Sequence, residues 1–388
     1  MKRSQRFRVL MAMEGVLGGT LRHLDYLLHF LNADRWEVHL AVSARRAPHV
    51  RKDFRRWMEA GWRVHEIPMC REIVPSRDLR AFQRLISLCH HHQFDLVHSH
   101  CAKAGVLARL AAAISGARVV HTPHVFPFSQ VNSSAHRTFY RIVECSMGWV
   151  TDRYILLSEY QRNQAIGAGV AQPEQCELIP NGIRGDDFEG PSRPEARNTL
   201  NLPPEAPLAL FAGRFRPRKG LDVLLKAAHT LKNGRPNIRT VIVGEGPMKR
   251  WLNNRIETLD LTDTVLNRGY TERMELYYAA ADLVVMPSRA EGMPYVALES
   301  MAAGRPVAAS LVSGMEQFIE HGRTGLLFPP DNPDALADLL SRWLPRRAEL
   351  DDMGRRAREQ FPDRWNARRM ARSVESLYER LLRDGKGK

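Results

Sequence analysis

Between an apolar run and a helical stretch, Gly213-Arg214-Phe215-Arg216-Pro217-Arg218-Lys219-Gly220 crowds four cations among small residues. A helix start presents backbone N–H groups and the positive end of its dipole, so such a turn suits an anion. Arg214 and Lys219 could bracket the two phosphates of a diphosphate, the arginine by its fork and the lysine as a point charge. The plainer alternative is a basic surface turn. Farther along, Arg289-Ala290-Glu291-Gly292-Met293-Pro294-Tyr295-Val296-Ala297-Leu298-Glu299 places two carboxylates with seven residues between them. Gly292 and Pro294 keep Glu291 in a loop, while Glu299 falls in the first turns of a helix starting near Pro294. Paired acids can run acid–base chemistry. Here the better role is to accept hydrogen bonds from vicinal sugar hydroxyls, which one carboxylate does with both oxygens.

Two further turns carry less. Val243-Gly244-Glu245-Gly246-Pro247 reads as a strand-to-helix turn whose glycines alone indicate backbone geometry. His321-Gly322-Arg323-Thr324-Gly325-Leu326-Leu327-Phe328 reads as a turn and a short strand closing a sheet. Among the 15 histidines, His90-His91-His92 reads as a solvated helix end, with a zinc-type site as the minor alternative. His124 follows a strand at the edge of an expected cleft, His100 ends the neighbouring strand, and His121 lies inside a strand in a structural role.

The elements that must hold these residues alternate along the whole chain. Apolar runs at 7–13, 38–42, 64–67, 96–98, 119–121 and 154–157 are separated by segments of helical periodicity. A second series, at 208–212, 240–243, 283–286 and 307–309, follows a stretch rich in Gly, Pro and charge around 182–207 that reads as a linker. Such alternation predicts an α/β protein of two doubly wound Rossmann-like domains facing across a cleft, with ligands at the carboxyl ends of the strands. The expected domains are 1–184, 185–363, and a C-terminal amphipathic helix within 364–388 that crosses back to the first.

Composition narrows the class. The chain has 388 residues, 44% of them hydrophobic, enough for two cores. Five scattered cysteines without a C-x-x-C pair fit a reducing compartment. No long apolar run or signal pattern appears, so a cytoplasmic protein is expected. A formal charge of +14 attracts phosphates of any kind, whether nucleotides, nucleic acid or lipid headgroups.

Taken together, the turns at 213–220 and 243–247, the Glu291–Glu299 element and the tail at 321–330 resemble the nucleotide-sugar domain of glycosyltransferase family 4, whose fold is the two-domain GT-B type. The first half resembles that family's acceptor domain, in the subgroup that builds bacterial surface polysaccharides and lipid-linked oligosaccharides. The likeness rests on Gly18-Gly19, on the stretches at 95–105 and 120–128, and on Ser158-Glu159 and Ile179-Pro180-Asn181-Gly182-Ile183.

The resemblance implies a hexosyltransferase that retains anomeric configuration and works without metal, in agreement with the missing D-x-D motif. The donor would be a nucleotide diphosphate sugar, with UDP expected, and no cofactor. The acceptor would be a polyprenyl-diphosphate-linked or other glycan, presented at the inner face of the cytoplasmic membrane. Gly18 and Gly19 would bring amides to the diphosphate alongside Arg214, Lys219 and Gly244. Glu291, Gly292, Met293 and Pro294 would hold the sugar, and Glu299 the ribose. His124 would touch the donor sugar, and His100 and Asn181 would serve the acceptor side. Met293 and Tyr295 depart from the family's usual residues, which leaves donor fit open.

An epimerase of the same fold, a dinucleotide-dependent dehydrogenase and a basic nucleic-acid-binding protein are the rival readings. No G-x-G-x-x-G follows either first strand, and the nucleic-acid reading rests on charge alone. Within 43–62, Arg45, Arg46, Arg51, Lys52, Arg55 and Arg56 surround Val50, Phe54, Trp57 and Met58 at helical spacing. That segment is expected to dock on an anionic membrane surface, unless its apolar stripe packs on its own sheet.

Overall fold

The computed structural model describes residues 6–384 except 46, 130, 132 and 236. Arg46, counted in the basic segment, lies outside them. The chain divides into two units: Met1–Asn181 with Ala367–Lys388, and Gly182–Asn366.

In unit 1 the strands are β1 (Phe7–Met13), β2 (Trp36–Val42), β3 (Arg63–Glu66), β4 (Leu96–His100), β5 (Arg118–Thr122), β6 (Arg153–Leu156) and β7 (Cys176–Leu178). They form one parallel sheet in the order β3-β2-β1-β4-β5-β6-β7. Helices α1 (Gly19–Phe30), α2 (Arg51–Glu59), α3 (Pro75–His92), α4 (Ala102–Ser115), α5 (Ser134–Gly148) and α6 (Glu159–Gly167) supply the crossovers. Strands β1, β2 and β4 are buried nearly throughout because helices cover both faces, which is why they read as unbroken apolar runs.

Unit 2 repeats the plan. After α7 (Arg193–Thr199) come β8 (Leu208–Ala212), α8 (Leu221–Gly234), β9 (Arg239–Val243), α9 (Lys249–Thr258), β10 (Val265–Gly269), α10 (Met274–Ala280), β11 (Leu283–Met286), α11 (Tyr295–Ala302), β12 (Val307–Ser310), β13 (Gly325–Phe328), α12 (Pro333–Trp343) and α13 (Arg347–Arg364). The order is β10-β9-β8-β11-β12-β13, all parallel. In both sheets the winding reverses between the first and fourth strands of the unit. Ligands of such sheets bind where loops diverge at that switch, beyond the strands' carboxyl ends.

Two segments differ from the sequence reading. The stretch read as a linker folds in part as α7, started by a capping box in which Ser192 and Glu195 satisfy each other. Arg197 on α7 is buried, donates to Asp282 at 2.8 Å, and caps three carbonyls of 203–206. The segment therefore belongs to the core of unit 2. The final helix, α14 (Ala367–Asp384), begins after a break at Trp365–Asn366 rather than at Arg364, where α13 ends. It returns to unit 1, burying Met370, Ala371, Val374, Leu377, Tyr378 and Leu381. Glu375 accepts from the Asn32 backbone at 2.8 Å and from Trp36 Nε1 at 3.1 Å.

Candidate active site

In unit 2 the switch point lies between β8 and β11. The loop after β8 carries Gly213, Arg214 and a short 3-10 turn, Pro217–Lys219, before α8. Gly220 closes that turn at φ 68°, and a Cβ there would stand 1.8 Å from the Pro287 carbonyl oxygen. Only glycine allows the loops after β8 and β11 to approach so closely. Arg289 fastens them together: it donates to the Pro217 carbonyl at 2.6 Å and holds Asp222 by both terminal nitrogens, at 2.9 and 2.7 Å.

The consequence is a contact between the two sequence motifs. Lys219 Nζ donates to Glu291 Oε1 at 2.5 Å, with both side chains largely buried. Burial works against the Glu291 charge, but Lys219 and Arg218 outweigh it and hold its carboxyl below the usual range. Backbone N–H of Glu291 donates to Ser313 Oγ at 3.3 Å. Gly292, Met293 and Pro294 follow, all buried, and Pro294 caps α11. Glu299, also buried, accepts from Tyr278 Oη at 2.6 Å. Gly244 follows β9 at φ 141°, where a Cβ would meet the Gly213 oxygen at 1.9 Å. Arg214 sits half-buried at the same strand ends. This set offers cations at a helix start beside a fixed carboxylate, a fit for a diphosphate joined to a polyhydroxyl group.

In unit 1, Gly18 and Gly19 stand exposed at the start of α1, Gly18 at φ 56° as its N-cap. His100 ends β4, and His124 follows β5 in a strained turn at φ 56°. His100 Nδ1 lies 3.2 Å from His124 Nε2. His23, on α1, completes the group with its ring centroid 4.8 Å from that of His124 and its Nδ1 donating to Asn181 Oδ1 at 3.0 Å. Burial keeps all three neutral: His23 is pushed down to about 4, and His100 and His124 well below the imidazole range. His121 is buried against Ser99, whose Oγ lies 2.9 Å from its Nδ1, and α4 packs Gly105 over its ring.

Sequence reasoning missed His23, because a histidine inside a helix gives no sign of which strand ends it faces. It also gave Arg289 no task. His92 is more than a solvated helix end, since His39, His65 and His92 also stand close enough together to hold a metal ion. The basic segment contradicts its expected use. Val50, Phe54 and Trp57 are buried, Trp57 Nε1 donates to Asp25 at 2.6 Å, and Arg51 and Arg56 pair with Glu66 and with Asp25 and Asp53. Three of the four apolar residues thus pack α2 inward, and Met58, 49% exposed, is the one left at the surface. Among the described residues, no helix is long and apolar enough to cross a membrane.

Comparison with known proteins matches residues 17–186 to the Glycosyltransferase Family 4 model and 192–360 to Glycosyl transferases group 1. A D-inositol 3-phosphate glycosyltransferase of Streptosporangium roseum is 31% identical over 67% of this chain, in an alignment spanning 63% of that relative, under two thirds of its length. The UDP-Gal:alpha-D-GlcNAc-diphosphoundecaprenol alpha-1,3-galactosyltransferase of Escherichia coli is 26% identical over 80% of this chain and 81% of its own. Among solved structures, Anabaena Alr3699/HepE in complex with UDP and glucose superposes with a TM-score of 0.82 at 19% identity, covering 96% of this chain and all of that one. At that identity the likeness shows the fold, which is GT-B.

Proposed function

Since the chain belongs to the family 4 glycosyltransferases, we propose that it transfers a sugar from a UDP-sugar to a lipid-linked glycan acceptor in cell-surface polysaccharide or glycolipid synthesis. The observation that carries this reading is the buried Lys219–Glu291 pair at the switch point of unit 2. UDP in a structure of the same fold and a diphosphoundecaprenol-linked acceptor in a relative's name support the donor and acceptor classes.

Arg214 and Lys219, with the Gly18, Gly19 and Gly244 backbone, stabilise charge building on the leaving diphosphate, a task that otherwise falls to a metal ion. Glu291, with the Gly292-Met293-Pro294 turn, holds sugar hydroxyls and orients the anomeric carbon, and Glu299 takes the ribose. His124 contacts the donor sugar, while His100 and Asn181 serve the acceptor. The bond from anomeric carbon to phosphate oxygen breaks as the acceptor oxygen bonds to that carbon on the same face. The acceptor's proton passes to the departing phosphate oxygen, so configuration is retained without a covalent enzyme intermediate.

A lipid-linked acceptor requires an enzyme that works at a membrane surface, at the inner face of the cytoplasmic membrane. Helix α5 is the face that suits it. Phe139 and Ile142 on it and Trp149, which caps its end, recur three or seven positions apart and are 47%, 59% and 92% exposed. Arg137 and Arg141 are exposed beside them, and the only acid on the helix, Glu144, is buried in a 2.8 Å pair with Arg109. Aromatic side chains flanked by arginines suit the headgroup region of an anionic leaflet.

Calorimetric or thermal-shift screening against UDP-, GDP- and ADP-sugars tests the reading, followed by transfer in excess EDTA. UDP-sugar binding and undiminished transfer in EDTA are expected. Loss of transfer restored by magnesium or manganese would overturn the charge-stabilising role of Arg214 and Lys219.

A further inference from the structure

The histidines of unit 1 form an arrangement that sugar transfer does not account for. His23 comes from α1, His100 from the end of β4, and His124 from the turn after β5. One ring nitrogen of each lies within 4.8 Å of the other two. His23 Nε2 and His100 Nε2 are shielded from solvent and have no hydrogen-bond partner. Buried polar atoms are ordinarily paired, so the open Nε2 of His23, in a group whose ring nitrogens converge, marks a site that a ligand completes.

The local geometry favours a metal ion. Asn181 Oδ1 accepts from His23 Nδ1 at 3.0 Å, which leaves the lone pair on Nε2. An outer oxygen that fixes the tautomer and aims the remaining lone pair is the usual support of a metal-binding imidazole. His100 Nδ1 and His124 Nε2 stand 3.2 Å apart. Zinc–imidazole bonds of about 2.0–2.1 Å at a tetrahedral angle set two ligand nitrogens about 3.4 Å apart. The second group, His39, His65 and His92, lacks this openness. None of its ring nitrogens is buried without a partner, and His39 Nε2 is engaged by the Glu37 carboxylate at 3.2 Å.

We propose that His23, His100 and His124 form a binding site for a divalent transition-metal ion of the zinc class, three imidazoles leaving a fourth position open. The ion has no part in the transfer described above. It engages His124 and therefore blocks that reaction, a consequence that rests on the proposed function, whereas the site itself does not.

Cobalt(II) titrated into the EDTA-dialysed full chain tests the site without any sugar. Visible ligand-field bands of four-coordinate cobalt, saturating at a single ion per chain at micromolar concentration, are expected and should be displaced by zinc. Absence of these bands below millimolar cobalt would mean an adventitious ion only and would end the proposal. His23→Gln should abolish the bands, while the double variant His65→Gln/His92→Gln keeps them. Bands surviving in His23→Gln, or lost in the double variant, place the ion elsewhere. Should His23→Gln fold poorly, His100→Asn gives the same comparison. If zinc binds but transfer continues unchanged with the site filled, the assignment of His124 to the reaction fails and the metal site stands.

Discussion

Lys219 and Glu291 lie 72 positions apart in sequence and 2.5 Å apart in the fold. Each neutralises a charge the other could not carry alone in a buried place, so removing one partner strands the other, at a cost typically of about 3–5 kcal/mol. Lys219→Met and Glu291→Gln should each lower transfer at saturating donor by about 100-fold or more. Thermal midpoints measured alongside should fall less for the double variant than for Lys219→Met. Near-native turnover in either single variant would remove that residue from the reaction. Burial opposes the Glu291 charge but Lys219 holds its carboxyl low, so the stability it contributes is lost as pH falls through its native value, and Lys219→Met should shrink that loss. The position of each motif on a strand-to-helix turn was legible because Gly220, Gly292 and Pro294 punctuate the chain. Their meeting was not, since strand order is a property of the sheet. Arg289, which clamps both loops, looked like any surface arginine until Asp222 and the Pro217 carbonyl were placed beside it.

Helices were harder to read than strands. Ten apolar runs mark strands to within a few residues, nine of them largely buried and only the edge strand β3 not, because parallel strands covered on both faces leave little room for polar residues. The edge strand β7 and the polar β10 escaped, having too few apolar positions to register. Helix α7 escaped because seven residues span too little of a periodic pattern, and prolines and glycines around it mimic a linker. Periodicity identified the apolar stripe of α2 but could not tell inward from outward, and the structure turns it inward. Helix α5 presents the opposite case, with apolar residues left in solvent. Phe139→Ser, Ile142→Ser and Trp149→Ser combined should release the protein from anionic liposomes in sedimentation. Transfer to a short water-soluble acceptor should persist. Since each basic residue adds about 1 kcal/mol near an anionic surface and salt screens it, binding should also weaken with ionic strength. Unchanged sedimentation of the triple variant would show that α5 is not the docking face.

Across the molecule, buried histidine is confined to one half. His39, His98 and His121 are buried in unit 1, whereas both histidines of unit 2, His229 and His321, are exposed. Burial pushes His39 down to about 4 and His98 and His121 well below the imidazole range. The unfolded chain therefore takes up protons that the native unit 1 refuses as pH falls from about 6.5 toward 4, and stability drops over that window. His39 alone accounts for about 3 kcal/mol at the low end, at 1.36 kcal/mol per pKa unit. Hydrogen exchange at pH 5, compared with pH 7.5 after correction for intrinsic rates, should show protection lost in β4 and β5 before β8 and β9. Equal loss in both sheets would contradict the placement of acid sensitivity in unit 1.

The return of α14 bears on how the chain is made. Unit 1 lacks Tyr378, whose hydroxyl lies 2.6 Å from His98 Nδ1, and the rest of that helix until residues 367–384 have been synthesised. Unit 2 is contiguous, and its two ends are joined where Ile183 N–H donates to the Trp365 carbonyl at 2.9 Å. The earlier-encoded half therefore cannot complete its fold until the whole of the later-encoded half has been synthesised. That departs from the usual order in which N-terminal domains fold first during translation. It leaves the apolar surface of unit 1 that α14 covers open to chaperones through most of synthesis.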